Sequence, residues 1–261
     1  MATIHRHHEG PVARLVIDNP ATRNGLTHEA ADALRGHLEV AAGDPAVRTI
    51  VLTGAGGHFC SGADLGAAAQ IFQLSDEQAE ALIRDRMHPV VAALAECPKP
   101  TVAVLRGACV GIGLSLALAC DLRVAAEDAS LGLVFTRIGL HPDGGSSYLL
   151  PRLVGTGKAL ELMLLGDRID GTEAARIGLV NRAVPADELD AAAGAWIHRL
   201  AAGPPIAYRL LKANVRFAAE ATLQQALDRE AHTQIGCIRS GDALRGVTAF
   251  FAKEAPVFKG D

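Results

Sequence analysis

Apolar positions along the chain fall into short blocks of two kinds. Val12–Asp18 alternates apolar and polar residues before the turn Asn19-Pro20, the two-residue period of a strand. Val47–Thr53, Thr101–Leu105 and Leu122–Ala126 are compact apolar runs that read as buried strands. Helical spacing fills the intervals. One helix is expected from Thr27, a suitable N-cap, through Ala42. A long one opens on the capping box Ser75-Asp-Glu-Gln78 and must stop near Cys97, because Pro98 and Pro100 follow. An apolar helix is expected at Leu114–Ala119.

Strand, glycine turn and helix thus repeat, which predicts a largely parallel sheet with helices packed outside and a ligand site at loops beyond the strand ends. From Gly155 onward the pattern is helical apart from a short strand at Leu179–Val184. Thr172, Asp187 and Ser240 read as helix starts, and Gly203-Pro204-Pro205 as a break between two helices. Apolar stripes on this tail make it a candidate oligomerisation surface.

Composition narrows the function. The 261 residues are 49% hydrophobic and 21% charged, enough for one sizeable α/β core. A formal net charge of -4 argues against a nucleic-acid or anionic-membrane surface. No apolar run reaches the ~18–20 residues of a membrane span, and no secretory signal opens the chain, so a cytoplasmic protein is expected. The five cysteines are widely spaced, without metal-ligand spacing, and read as reduced thiols; no metal site is expected.

Three segments carry candidate chemistry. His58-Phe-Cys-Ser-Gly-Ala-Asp-Leu65 and Gly107-Ala-Cys-Val-Gly-Ile-Gly113 are small-residue turns, each after a buried strand, able to aim backbone N–H groups at a ligand. Neither ends as a P-loop or fits a dinucleotide fingerprint. Gly139-Leu-His-Pro-Asp-Gly-Gly-Ser-Ser-Tyr148 adds one carboxylate, Asp143, where a base would be useful, although Pro-Asp-Gly is also an ordinary turn sequence. Ser115, in Gly113-Leu-Ser-Leu-Ala117, loosely resembles a nucleophile elbow, with His198 and His232 available for a hydrolase triad.

Together with Ile17-Asp-Asn-Pro-Ala-Thr-Arg-Asn-Gly-Leu26, Leu165-Gly-Asp-Arg-Ile169 and the ending Ala249 to Gly260, these segments resemble the crotonase family, the enoyl-CoA hydratase/isomerase superfamily, over essentially the whole chain. The resemblance implies an α/β fold, a crotonase-type spiral of ββα units, with a core over residues 1–200 and a helical C-terminal oligomerisation region over 201–261. It implies a homotrimer or dimer of trimers and an acyl-CoA thioester substrate, with no cofactor beyond the coenzyme A of that substrate.

By position the oxyanion-hole donors would be the N–H groups of Ala63 and Ile112. Coenzyme A would lie near Arg23, Asn24, Gly25, Leu26, Ala63, Asp64 and Leu65, with Lys253 approaching its phosphates from a neighbouring subunit. Where similar hydratases carry two glutamates, this chain has Ser115 and Phe135, and phenylalanine cannot move a proton. Asp143 lies where single-acid enoyl-CoA isomerases of the family carry their acid. The expected activity is therefore a double-bond shift in a 3-enoyl-CoA or related phenylacetyl-type ester. A hydratase is the alternative, followed by an acyl-CoA thioesterase and a non-catalytic acyl-CoA binder.

Overall fold

The computed structural model describes every residue except Met1, Leu65, Ala67 and Ala68, together with the backbone but not the side chain of Gln70. Six strands form the main sheet in the order β1-β2-β3-β4-β6-β8. They are β1 (Thr3–Glu9), β2 (Val12–Asp18), β3 (Thr49–Gly54), β4 (Thr101–Leu105), β6 (Leu122–Ala126) and β8 (Arg182–Val184). β1 and β2 pair antiparallel as a hairpin, and every later pair in the sheet is parallel. β4 is buried along its whole length, as expected of a parallel strand covered on both faces.

A second layer is smaller. β5 (Ala108–Val110) and β7 (Ser130–Gly132) pair parallel, and single bridges Leu26↔Ala63, Cys60↔Cys109 and Leu131↔Ile169 extend their ladder on both sides. Successive units thus place one strand in the large sheet and the next in the small layer before a helix follows. The mixed α/β fold with a helical C-terminal region agrees with the sequence expectation.

Helix α1 (His28–Gly43) begins where Thr27 accepts a bond from Ala30 N. Ser75 and Gln78 form the expected reciprocal box at the start of α2 (Asp76–Leu82). The expected single helix is instead interrupted. A π turn at Ile83–Met87 joins α2 to α3 (His88–Glu96), and Pro89, which has no N–H to give, lies just beyond it. α4 (Ile112–Ala119) is buried at all eight residues.

α5 (Ser146–Val154) and α6 (Thr156–Leu165) follow the Asp143 turn. Two helix starts differ from expectation. Asp170, not Thr172, caps α7 (Gly171–Arg176) through Glu173 N, and α8 (Leu189–Ala201) follows Glu188 rather than Asp187. The strand read at Leu179–Val184 is confined to Arg182–Val184.

The last three helices are α9 (Pro205–Ala218), α10 (Leu223–Ile238) and α11 (Gly241–Ala252), the last capped by Ser240 as expected. Lys212 on α9 fastens this tail to the core, binding Asp121 Oδ2 at 2.5 Å and the Lys99 carbonyl at 2.6 Å. The same tail exposes Leu211, Val215, Leu223, Ile238, Leu244, Phe250 and Phe251. Among the described residues no helix is long and apolar enough to cross a membrane. The five cysteines are free thiols.

Candidate active site

Both small-residue turns come from the second layer and touch each other. Gly62 and Gly111, each at positive φ, lie so close that a Cβ on Gly111 would meet Gly62 Cα at 3.6 Å. The residues after them, Ala63 and Ile112, carry the expected donors. Gly62 O and Asp64 N bond to Leu26, which turns the Ala63 amide the other way, as a parallel bridge requires. Ile112 is the first residue of α4, whose start at Gly111 has no side-chain cap. Neither amide donates to any group among the described residues. Two free N–H groups, one at a helix N-terminus, form a place for a negative oxygen.

Glycine is required at the helix start as well. A Cβ on Gly113 would lie 2.5 Å from the Cys60 carbonyl, so α4 can close onto the first turn only without one. Burial pushes the Cys60 thiol up to about 12, which leaves it protonated and inert.

A cavity of about 490 Å³ opens beside the amides, lined by Thr22, Ala63, Asp64, Ile112, Phe135 and Leu140 among others. The Phe135 ring lies against Gly111, where a Cβ would meet its Cζ at 3.8 Å. Among the described lining residues the two cations are Arg137 and Arg168, neither singled out by the sequence. Arg137 pairs with Asp167 at 2.7 Å. Arg168 is exposed and has no ion pair or hydrogen bond among the described residues. Its stem lies against Gly132, which accepts a bond from Gly111 N, so backbone pairing brings it to the site.

The residues expected around coenzyme A divide by exposure. Asn24 and Leu26 are buried and offer a ligand no side chain. Asn24 holds the segment in place: its Nδ2 donates to Ala55 O and His58 O, and its Oδ1 accepts from Asn19 N. Asp64 lines the cavity while its Oδ1 accepts from Gly66 N, folding back onto the turn. Arg23 is exposed beside Thr22, and its carbonyl accepts from Ser61 N. Leu65 lies outside the described residues. Lys253 stands exposed at the end of α11 and does not line the cavity, so one chain does not bring it to the site.

Asp143 also lies outside that lining; its turn is tied to the helix that begins at Ile112. Its turn packs on α4 through Gly144, whose Cβ position is 2.2 Å from Ile112 Cδ1 and 3.0 Å from Ser115 Cβ. The Asp143 carbonyl accepts from Ser115 Oγ at 3.1 Å and from Ser146 Oγ at 2.8 Å. Its carboxylate Oδ1 is buried without a hydrogen-bond partner. Burial therefore raises the Asp143 carboxyl above its ordinary value, an effect partly opposed by His88 and His141. A desolvated carboxylate with one oxygen lacking a partner, on a turn packed against the helix that starts at Ile112, has the chemistry to accept and return a proton.

Ser115 does not form a nucleophile site. It is fully buried inside α4 and gives its hydroxyl to carbonyls of Gly111 and Asp143, with no histidine bonded to it among the described residues.

The helix behind the amides is anchored at its far end. Arg123 on β6 is 3% exposed, and its Nη1 donates to the carbonyls of Ala117, Leu118 and Cys120, while Nε donates to Leu179 O. A buried cation on the terminal carbonyls satisfies groups the helix cannot pair itself and complements its dipole.

Residues 7–261 match the family model described as enoyl-CoA hydratase/isomerase. A protein of Rhodobacter capsulatus described as a probable enoyl-CoA hydratase is 38% identical over 95% of both chains. The 1,2-epoxyphenylacetyl-CoA isomerase of Escherichia coli is 33% identical over 100% of this chain and 99% of its own. Among solved structures, an enoyl-CoA hydratase from Polaromonas superposes with a TM-score of 0.93 at 32% identity, covering 98% of this chain and 99% of the other.

Proposed function

The chain belongs to the enoyl-CoA hydratase/isomerase family, and from that premise we propose that it shifts the double bond of a 3-enoyl-CoA, or a related phenylacetyl-type CoA ester, with Asp143 as the proton carrier. The thioester oxygen sits between the N–H groups of Ala63 and Ile112. Asp143 takes a proton from C2, the electron pair spreads over a dienolate whose oxygen the two amides hold, and the protonated carboxyl returns the proton at C4. The double bond moves from C3–C4 to C2–C3, with no water consumed. Fixed donors act most strongly once charge has developed on oxygen, and losing one such donor typically costs about 10²–10³ in rate.

The observation that carries this reading is the buried, unpaired Oδ1 of Asp143 on a turn seated against Ile112. In this reading the acyl chain runs past Ile112 toward Asp143, and the coenzyme leaves through the cavity bounded by Thr22, Asp64 and Arg168. Self-association through α9–α11, as a trimer or dimer of trimers, covers the exposed apolar residues of the tail. Hydration is the second reading, favoured by the description of the Rhodobacter relative. Ser115 and Phe135 oppose it, since neither can activate water as a carboxylate would.

The test is a panel of 3-enoyl-, 2-enoyl- and phenylacetyl-type CoA esters in deuterated water, following double-bond position and deuterium uptake with the native enzyme and Asp143→Asn. Isomerisation lost in the variant supports the proposal. Hydration without isomerisation, or full activity of Asp143→Asn, rejects it.

A further inference from the structure

Ser115 lies on α4 one turn after Ile112, fully buried, with its hydroxyl 3.1 Å from the Asp143 carbonyl. The other bonds to that carbonyl come from Ser146, through N at 3.2 Å and Oγ at 2.8 Å. Those are local, spanning three residues, and survive in a turn that has left the helix. The Ser115 bond spans 28 residues and joins the turn to the helix whose first amide is free.

Gly144 shows how closely the two surfaces meet. At φ +59 its Cβ position would be 3.0 Å from Ser115 Cβ and 3.2 Å from Oγ, so the turn comes down onto Ser115 only because residue 144 has no side chain. We propose that Ser115 is a positioning residue: its hydroxyl tethers the Asp143 turn to α4 and fixes the reach between the Asp143 carboxylate and the Ile112 amide. The inference rests on Asp143 as the proton carrier.

Loss of the tether leaves two donors on the carbonyl, so Ser115→Ala should fold, while a misplacement of about 1 Å can cost up to ~10²-fold in rate. The expected result is a kcat lowered roughly five- to fiftyfold with KM for the CoA ester within about twofold. The acid limb of the kcat–pH profile should move to lower pH. A released turn rehydrates the carboxyl and draws it back toward its ordinary value, with His88 and His141 still holding it down.

Ser115→Cys, which is only slightly larger and donates weakly, should shift kcat and pH profile in the same direction, and serves if the alanine variant does not fold. Asp143→Asn is measured alongside. An inactive Asp143→Asn with wild-type kcat and pH profile in both Ser115 variants overturns the positioning role alone. A fully active Asp143→Asn overturns the proton-carrier reading and this inference with it.

Discussion

Gly144 and Ile112 are packed so tightly that a Cβ on the glycine would lie 2.2 Å from Ile112 Cδ1. The turn that carries Asp143 therefore packs directly on the first residue of α4. Gly144→Ala meets this clash and also the strain of φ +59 for a residue with a Cβ. It should lose about 2–4 kcal/mol of stability, measured by denaturant unfolding, and most of its kcat.

On the proposed mechanism, Asp143 links activity to a stability cost. Its carboxyl is raised by burial, so the folded protein favours the protonated form, and that stabilisation is present below the ordinary value of 3.8. It is lost as pH rises through the raised value. Ionised Asp143 thus works against folding at neutral pH, and Asp143→Asn should melt higher than wild type at pH 7. The difference should shrink as pH falls toward about 4. An asparagine variant melting lower than wild type at pH 7 would contradict this sign.

Arg168 is expected to act on binding rather than chemistry. Among the described residues it lines the cavity without an ion pair, and on the proposed reading coenzyme A would bring several negative charges past it. Arg168→Ala should raise KM for CoA esters by roughly five- to tenfold, less at high salt, and leave kcat nearly unchanged. Initial-rate kinetics at two ionic strengths check this.

Arg123 makes four side-chain bonds to backbone carbonyls, three of them closing the end of α4. Arg123→Met removes all four of these bonds, although the Ala117 carbonyl keeps its bond from Cys120 N, and should cost on the order of 3 kcal/mol. Arg123→Lys, able to make fewer of them, should fall between. Thermal melts of the three proteins give the order.

The exposed apolar face of the C-terminal helices gives a further expectation. Phe250 is 77% exposed and Phe251 79%, values unusual for large aromatics in a single chain. Phe250→Asp should reduce the molar mass in solution measured by light scattering toward that of one chain.

What the sequence made legible follows from where the information lies. Strands buried on one or two faces announced themselves, so Val12–Asp18, Thr101–Leu105 and Leu122–Ala126 stand where their apolar patterns put them. β1 is an edge strand in which Ile4 alone is buried, and pairing to β2 rather than hydrophobic alternation defines it. The caps Thr27, Ser75 and Ser240 were readable because capping is local. The π turn before Pro89 was not, since the helical period continues across it.

At the site the same division holds. Glycines at 62, 111 and 113 marked backbone that had to come close, and the two free amides follow from them. The hydroxyl of Ser115 on the Asp143 carbonyl and the seat of Arg168 against Gly132 join residues far apart in the chain, for which no spacing rule gives a signal.

The meeting of Gly62 and Gly111 has an evolutionary consequence. On the proposed mechanism, activation of the carbonyl is written in main chain and survives any change of side chain that leaves those two glycines in contact. The acid is written separately, on a turn that can be altered at positions 115, 135 or 143. A lineage with this scaffold can thus exchange one reaction for another by a few substitutions while its costliest catalytic component is inherited intact.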